Sequence, residues 1–221
     1  MLRIGSRDKL QIRREQFDFG CDLRLLYISD LHLTRWAQHI VQQLEMVLQD
    51  TEPDVILLGG DLVDLVNGLP LLAAFIRSCP CEVWAVSGNH DERVGLEVVR
   101  QCVEAAGGHW LEKAVAIHPR LAISGLCQPV QTDHAVLVAH DPAVFPEAVA
   151  AGYRLVLAGH LHGGQAILAH HDGRAYPGGF ISRWNGDQFT LYDSTLLVSK
   201  GVHDTLPVRW NCPREVILCC C

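Results

Sequence analysis

The 221-residue sequence has no surplus of positive charge: 18 Lys and Arg stand against 25 Asp and Glu, for a formal net charge of -7. A chain this acidic lacks the electrostatic footprint of non-specific nucleic-acid binding, so no nucleic-acid partner is expected. It contains no run of 18 or more apolar residues, and no transmembrane segment is expected. The stretch Met1 to Lys9 has no apolar h-region, so no secretory signal is expected and the location reads as cytoplasmic. Nine cysteines is an odd number in a chain too long to need a disulfide framework, which points to reduced thiols. What the sequence does have is 49% hydrophobic residues, enough for one domain, residues 1–221, with a sizeable core.

Apolar runs rich in β-formers alternate with helix-like stretches. The runs 23–29, 54–58, 82–87, 135–139 and 154–158 read as strands, nearly continuous in apolar residues as strands covered on both faces are. Helices are expected over 36–50, 69–78, 93–106 and 143–151, with Pro53, Pro80 and Gly107-Gly108 as punctuation. Strand then helix, repeated, argues for an α/β fold. After Gln165 the helical signal fades, and 188–192, 195–199 and 215–218 read as late strands.

The polar exceptions stand where the strands end. In order they are Asp30-Leu31-His32, Gly60-Asp61-Leu62-Val63-Asp64, Gly88-Asn89-His90-Asp91, His140-Asp141 and Gly159-His160-Leu161-His162. Open α/β sheets bind ligands beyond the carboxyl ends of their strands. Five strands thus deliver a metal-competent side chain to one edge. The i, i+2 pairs Asp30/His32 and His160/His162 point the same way in an extended segment. The set of carboxylates (Asp30, Asp61), imidazoles (His32, His140, His160, His162) and one amide oxygen (Asn89) holds no thiolate, and mixed nitrogen and oxygen donors suit Mn, Fe or Zn. Seven ligands exceed the needs of one catalytic ion with an open position but suffice for two divalent metal ions sharing a carboxylate. Two ions about 3.5–4 Å apart can clamp both oxygens of a phosphoryl displacement.

These five blocks, in this order between positions 28 and 165, resemble the calcineurin-like metallophosphoesterase superfamily. The wording "ISDLHL…GGDLVD…SGNHD…AHDP…GHLHGGQ…VSKGV" is closest to its YaeI/YkuE-type bacterial phosphodiesterase branch. The resemblance implies a four-layer α/β/β/α sandwich of two mixed β-sheets flanked by helices, with C-terminal strands in 166–221. It implies a dinuclear enzyme that hydrolyses phosphate mono- or diesters by in-line attack of a metal-bound hydroxide, Mn being expected in vitro. Asp30, His32 and His162 would hold the first metal, Asn89, His140 and His160 the second, and Asp61 would bridge. His90 would be the general acid, with Asp64 orienting it and favouring its charged form. A small phosphoester is the expected substrate.

Other readings stand beside this one. A non-catalytic metal-binding scaffold of the same fold is the alternative function, disfavoured because scaffolds tend to lose the His90 position. Asp91 is a partner of a ligand or a plain helix N-cap. Gln165 reads as solvent-facing and Trp36 as core. His170-His171-Asp172 beside Gly173 reads as an exposed hairpin turn, His39 as a surface residue, and His203 as packing with a supporting role open. The tail Cys219-Cys220-Cys221 reads as a frayed end, with acylation and peripheral membrane association left open. The short stretch 126–134 suggests an open active site.

Overall fold

The computed structural model describes residues 2–4 (backbone only), 9–130, 132, 134–206 and 208–221. In chain order its strands begin with β1 (Leu2–Ile4), β2 (Gln11–Gln16), β3 (Arg24–Ile28), β4 (Val55–Gly59), β5 (Glu82–Val86) and β6 (His109–Trp110). There follow β7 (Val115–His118), β8 (Leu121–Ser124), β9 (His134–Val138), β10 (Leu155–Ala158), β11 (Ile167–His171) and β12 (Arg174–Pro177). The last four are β13 (Gln188–Leu191), β14 (Ser194–Val198), β15 (Val208–Trp210) and β16 (Glu215–Cys220). The helices are α1 (Gln38–Thr51), α2 (Leu69–Ser78), α3 (Asn89–Val94), α4 (Leu96–Ala105) and α5 (Phe145–Ala151).

Two six-stranded sheets carry the fold, in the orders β2-β16-β3-β4-β5-β6 and β13-β14-β10-β9-β8-β7. Both are mixed: β3, β4 and β5 are parallel, as are β8, β9, β10 and β14, while β16 runs antiparallel to β3 and β13 antiparallel to β14. The pairs β1-β15 and β11-β12 form two small ribbons.

Side-chain alternation builds the layers. Leu26 and Ile28 of β3, with Ile56 and Leu58 of β4, pack beneath Ile40, Leu44, Phe75 and Val99 of the helices. The intervening residues Leu25, Tyr27, Val55 and Leu57 turn the other way, onto Ile123, Val136, Leu155 and Leu157 of the second sheet. The far face of that sheet, Leu137, Val156 and Leu196, is covered by Phe145 and Ala148. The result is the expected α/β/β/α sandwich. Its strands are apolar without alternation because both of their faces are buried. Truncating one such residue, Leu57→Ala for example, carries the usual core penalty of about 2–5 kcal/mol.

Several boundaries differ from the sequence expectations. The helix expected over 93–106 begins earlier, at Asn89, and breaks at Gly95, whose φ of 119° only glycine adopts readily. Trp36 is not core: it precedes α1, is 74% exposed and lies beneath the Arg35 guanidinium at 4.3 Å. The terminal cysteines are not frayed. Cys219 and Cys220 end β16, which lies between β2 and β3, Cys221 follows it, and Cys219 and Cys221 are buried between the sheets. That burial withdraws both thiols from acylation. Strand β2 was not expected because QIRREQ has no apolar run; it is a charged edge strand, the kind that resists further pairing. The hairpin at His170-His171-Asp172 is as expected, between β11 and β12 with both His171 and Asp172 exposed.

Candidate active site

Strands β3, β4 and β5 of one sheet and β9 and β10 of the other all end on the same rim, and the loops that follow bring together every side chain expected there. The two sheets are tied at this rim. The Tyr27 hydroxyl donates to the Ala139 carbonyl (3.2 Å), Nδ1 of His140 to the Gly59 carbonyl (3.0 Å), and the His160 amide to the Asp30 carboxylate (3.0 Å). Asp30, His32, Asp61, His160 and His162 all have positive φ, between 43° and 70°. That region costs non-glycine residues of order 1–3 kcal/mol each, and such strain concentrates at functional sites. The glycines make the approach possible: a Cβ on Gly159 would fall 2.4 Å from the Asp30 carboxylate, and one on Gly88 2.2 Å from that of Asp61.

Two groups of donors result, Asp30, His32 and His162 in one and Asp61, His140 and His160 in the other, each with its ligand atoms within 4.8 Å of one another. Asn89 joins the second through Oδ1, 3.1 Å from Nε2 of His140. The groups meet at Asp61, whose Oδ2 lies 3.7 Å from Nε2 of His32 and 3.4 Å from Nε2 of His140. Nitrogen faces nitrogen at 3.2 Å between His32 and His162 and at 3.1 Å between His140 and His160. Such an arrangement of imidazole lone pairs fits a cation placed among them, and the nitrogen and oxygen donor set fits divalent ions of the Mn, Fe and Zn kind.

Three of these imidazoles are anchored at their outer nitrogen, leaving Nε2 for the site. Nδ1 of His32 meets Asp64 at 2.6 Å, that of His140 the Gly59 carbonyl, and that of His162 Asp204 at 2.7 Å. Such outer contacts fix tautomer and ring orientation. Burial alone would lower His140, but the Asp61 hydrogen bond and the Asp30 and Asp61 charges outweigh it and hold the imidazole up at about 9. His32 is raised in the same way, against burial, by Asp64. Burial and the neighbouring His140 charge lower His160. The Asp61 carboxyl lies well below the usual carboxylate range, because His140 and the His90 amide overcome its burial.

In a third group, His32, Asp64 and His90, one carboxylate stands between two imidazoles. Oδ1 of Asp64 lies 2.6 Å from Nδ1 of His32 and 2.8 Å from Nδ1 of His90, so this carboxylate orients two imidazoles where sequence suggested one. His90 borders the cavity, about 220 Å³, together with His32, Asp61, Asn89, His160 and His162.

Sequence reading missed or misjudged several neighbours. Gln165 is not merely solvent-facing: it lines the cavity, donating from Nε2 to the Leu206 carbonyl at 2.7 Å. Asp91 is not the helix N-cap. It is fully buried at the third position of α3 and accepts from the amides of Leu62 (2.9 Å), Val63 (3.1 Å) and Gly88 (2.9 Å), locking the Asp61 loop to the Asn89 loop. Burial pushes its carboxyl up to about 6 despite those three donors. His203 packs its ring near His39, as expected, but its amide also donates to the Asp30 carbonyl. Asp204, Thr205 and Arg209 were not singled out. The missing signal was β14, parallel to β10, whose carboxyl end also opens on this rim. Of the stretch 126–134, Gln131 and Asp133 lie outside the described residues, and none of its described residues lines the cavity.

No helix among the described residues is long and apolar enough to cross a membrane. Comparison with known proteins agrees with the geometry. The chain is 25% identical to the uncharacterized metallophosphoesterase YkoQ of Bacillus subtilis (strain 168) over 189 residues, 74% of this chain and 67% of that protein. It is 24% identical to phosphodiesterase YaeI of Escherichia coli (strain K12), covering 91% of this chain and 83% of YaeI. Among solved structures, the phosphopantetheinyl hydrolase PptH of Mycobacterium tuberculosis shares the fold, with a TM-score of 0.51 at 12% identity over 86% of this chain and 96% of that one. The family model for the calcineurin-like phosphoesterase superfamily domain matches residues 23–195. By that match, and by a rim of donors suited to the divalent metal ions such phosphoesterases use, the chain belongs to the calcineurin-like phosphoesterase superfamily.

Proposed function

We propose that the protein is a two-metal phosphoesterase that hydrolyses small phosphate mono- or diesters. The observation that carries this is the position of Asp61. Its Oδ2 lies between the inner nitrogens of His32 and His140, so one carboxylate faces both donor groups. On this reading Asp30, His32 and His162 hold one ion, Asn89, His140 and His160 the other, and Asp61 bridges. When bound, the pair would supply Lewis-acid activation of water and neutralise charge building on the phosphoryl oxygens.

The chain's own groups do the rest. His90 stands at the cavity edge with its ring edge-on to His32, centroids 4.6 Å apart. Its Nδ1 lies 2.8 Å from Oδ1 of Asp64, and its Nε2, 3.4 Å from Nη1 of the exposed Arg93, is the nitrogen assigned to deliver a proton to the departing oxygen. Asp64, held below the usual carboxylate range by His32 and His90 against its burial, accepts from Nδ1 of His32 and keeps a negative charge beside His90. The full donor set together with His90 favours an enzyme over a scaffold.

The test is hydrolysis of bis-p-nitrophenyl phosphate and p-nitrophenyl phosphate by the purified protein with added Mn²⁺. Turnover of either supports the reading. Silence on both, with two metals shown bound by elemental analysis, would turn it towards the scaffold.

A further inference from the structure

The segment after β14 touches three site loops with three consecutive residues. The His203 amide donates to the Asp30 carbonyl at 2.9 Å, Asp204 Oδ1 meets Nδ1 of His162 at 2.7 Å, and Thr205 Oγ1 donates to Asp64 Oδ2 at 3.2 Å. The Asp204 contact is the deepest. Asp204 and Arg209 are 5% and 3% exposed. Arg209 grips both carboxylate oxygens, Nε to Oδ2 at 2.6 Å and Nη2 to Oδ1 at 2.7 Å.

A buried ion pair is weak evidence for stability, because desolvating two charges offsets most of their attraction. The geometry of this pair serves a different end. An ionised carboxylate can only accept, and two of its lone pairs are taken by the guanidinium. The oxygen facing His162 therefore requires the hydrogen on Nδ1. Arg209 Nη2 also stands 3.4 Å from this Nδ1, too long to displace the 2.7 Å carboxylate contact, so in the neutral ring the lone pair falls on Nε2, 3.5 Å from Asp30 Oδ1 and 3.2 Å from Nε2 of His32. The clamp is also tied to its target. Arg209 lies in β15, where the Trp210 amide donates to the Gln165 carbonyl at 2.8 Å, and the Cys212 thiol contacts the His162 carbonyl at 3.2 Å. Clamp and imidazole are thus held in one piece of structure.

We infer that Asp204, locked in place by Arg209, is the positioning residue that presents Nε2 of His162 to the first cation; this rests on the two-metal reading above. The test is Asp204→Asn, nearly isosteric. Its amide NH₂ can turn to His162 and force the opposite tautomer, with hydrogen on the nitrogen that should ligate. Two measurements are made. Ring ¹⁵N NMR of metal-free protein, with His162 assigned through a His162→Gln sample, is expected to show Nδ1–H in the wild type and Nε2–H in D204N. Calorimetric Mn²⁺ titration is expected to show one of two sites weakened about 10–100-fold in D204N, the usual effect of losing such an outer partner, and the other unchanged. Asp204→Glu, which keeps the carboxylate, should recover part of the loss.

A wild type that binds two Mn²⁺ and a D204N that binds both as tightly overturns this inference alone. A wild type that binds no Mn²⁺ overturns the two-metal reading and this inference with it. Should D204N fail to fold, the wild-type ring spectrum still decides, because an Nε2–H His162 contradicts the proposed clamp.

Discussion

Nδ1 of His90 lies 2.8 Å from Oδ1 of Asp64, the same oxygen that receives Nδ1 of His32 at 2.6 Å. One carboxylate thus orients a residue expected to handle a proton and a residue expected to ligate, and substitutions can separate the two tasks. His90→Asn should keep both cations and lose turnover by about 10²–10⁴-fold, the usual contribution of a general acid. Asp64→Asn should lower turnover and also weaken cation binding through His32. Steady-state kinetics paired with elemental analysis checks both. A His90→Asn enzyme at full rate would remove the acid role.

Substitutions at the metal rim sort by position. Because Asp61 faces both donor groups, Asp61→Asn is expected to reduce the content of both cations. His160 belongs to one group only, so His160→Gln should spare the cation held by Asp30, His32 and His162. Dialysis against a chelator should abolish hydrolysis, and Mn²⁺ should restore it. The readout is metal per chain after gel filtration. Equal loss in the two variants would contradict the assignment of Asp61 as the shared ligand.

Much of this rim was legible because short-range chemistry and strand position coincide. A polar residue two positions past the end of an apolar run, as with Asp30, Asp61 and His160, can be placed at a strand end from sequence alone. The layer order followed from runs such as Leu155 to Ala158, which leave no face for water. What could not be read depends on partners distant in the chain. Asp204 meets His162 across 42 residues, and nothing in the segment His203-Asp204-Thr205 marks it until β14 is seen beside β10. Asp91 resembles a cap in sequence, and its three amide donors become visible only when the Asp61 and Asn89 loops are in contact. The tail misled for a related reason: Glu215 to Cys220 is inserted between two strands from the start of the chain, a non-local pairing that no local pattern announces.

The buried position of β16 sets the behaviour of the thiols. Cys212, Cys219 and Cys221 are buried and unpaired, and burial pushes the Cys221 thiol up to about 12 and Cys219 well above its ordinary value. Thiolate is the reactive form, so at pH 8 these three should react with a disulfide reagent only on unfolding, whereas all nine react in denaturant. The pH dependence of stability has a definite sign. A thiol whose folded pKa is raised contributes fully below its unfolded value of about 8.5, and that contribution is lost as pH rises above it. The Cys221 thiol, kept protonated by burial up to about 12, therefore lowers stability by about 1.4 kcal/mol per pH unit between roughly pH 9 and 11, and the other raised thiols act in the same direction. Urea midpoints should fall across that range. Rapid native labelling of Cys219 and Cys221, located by peptide mass, would show instead that the end of β16 opens.

The last prediction concerns the joint beneath the site. Asp91 takes three buried amides, from Leu62, Val63 and Gly88, and so fixes the backbone that carries both Asp61 and Asn89. Replacing it with alanine leaves three donors without an acceptor in a place water does not reach. Each such orphan costs about 1–3 kcal/mol, less whatever local relaxation recovers. Asp91→Ala is therefore expected to lose about 3–5 kcal/mol in urea unfolding, at the severe end for a single substitution. Asp91→Asn keeps one acceptor oxygen and should lose less. Both variants should also bind cations more weakly, since the Asp61 carboxylate is positioned by the same loop. A loss under about 1 kcal/mol in Asp91→Ala, with cation affinity intact, would mean that the positive-φ conformation of Asp61 is held by the sheets and the bound ions alone.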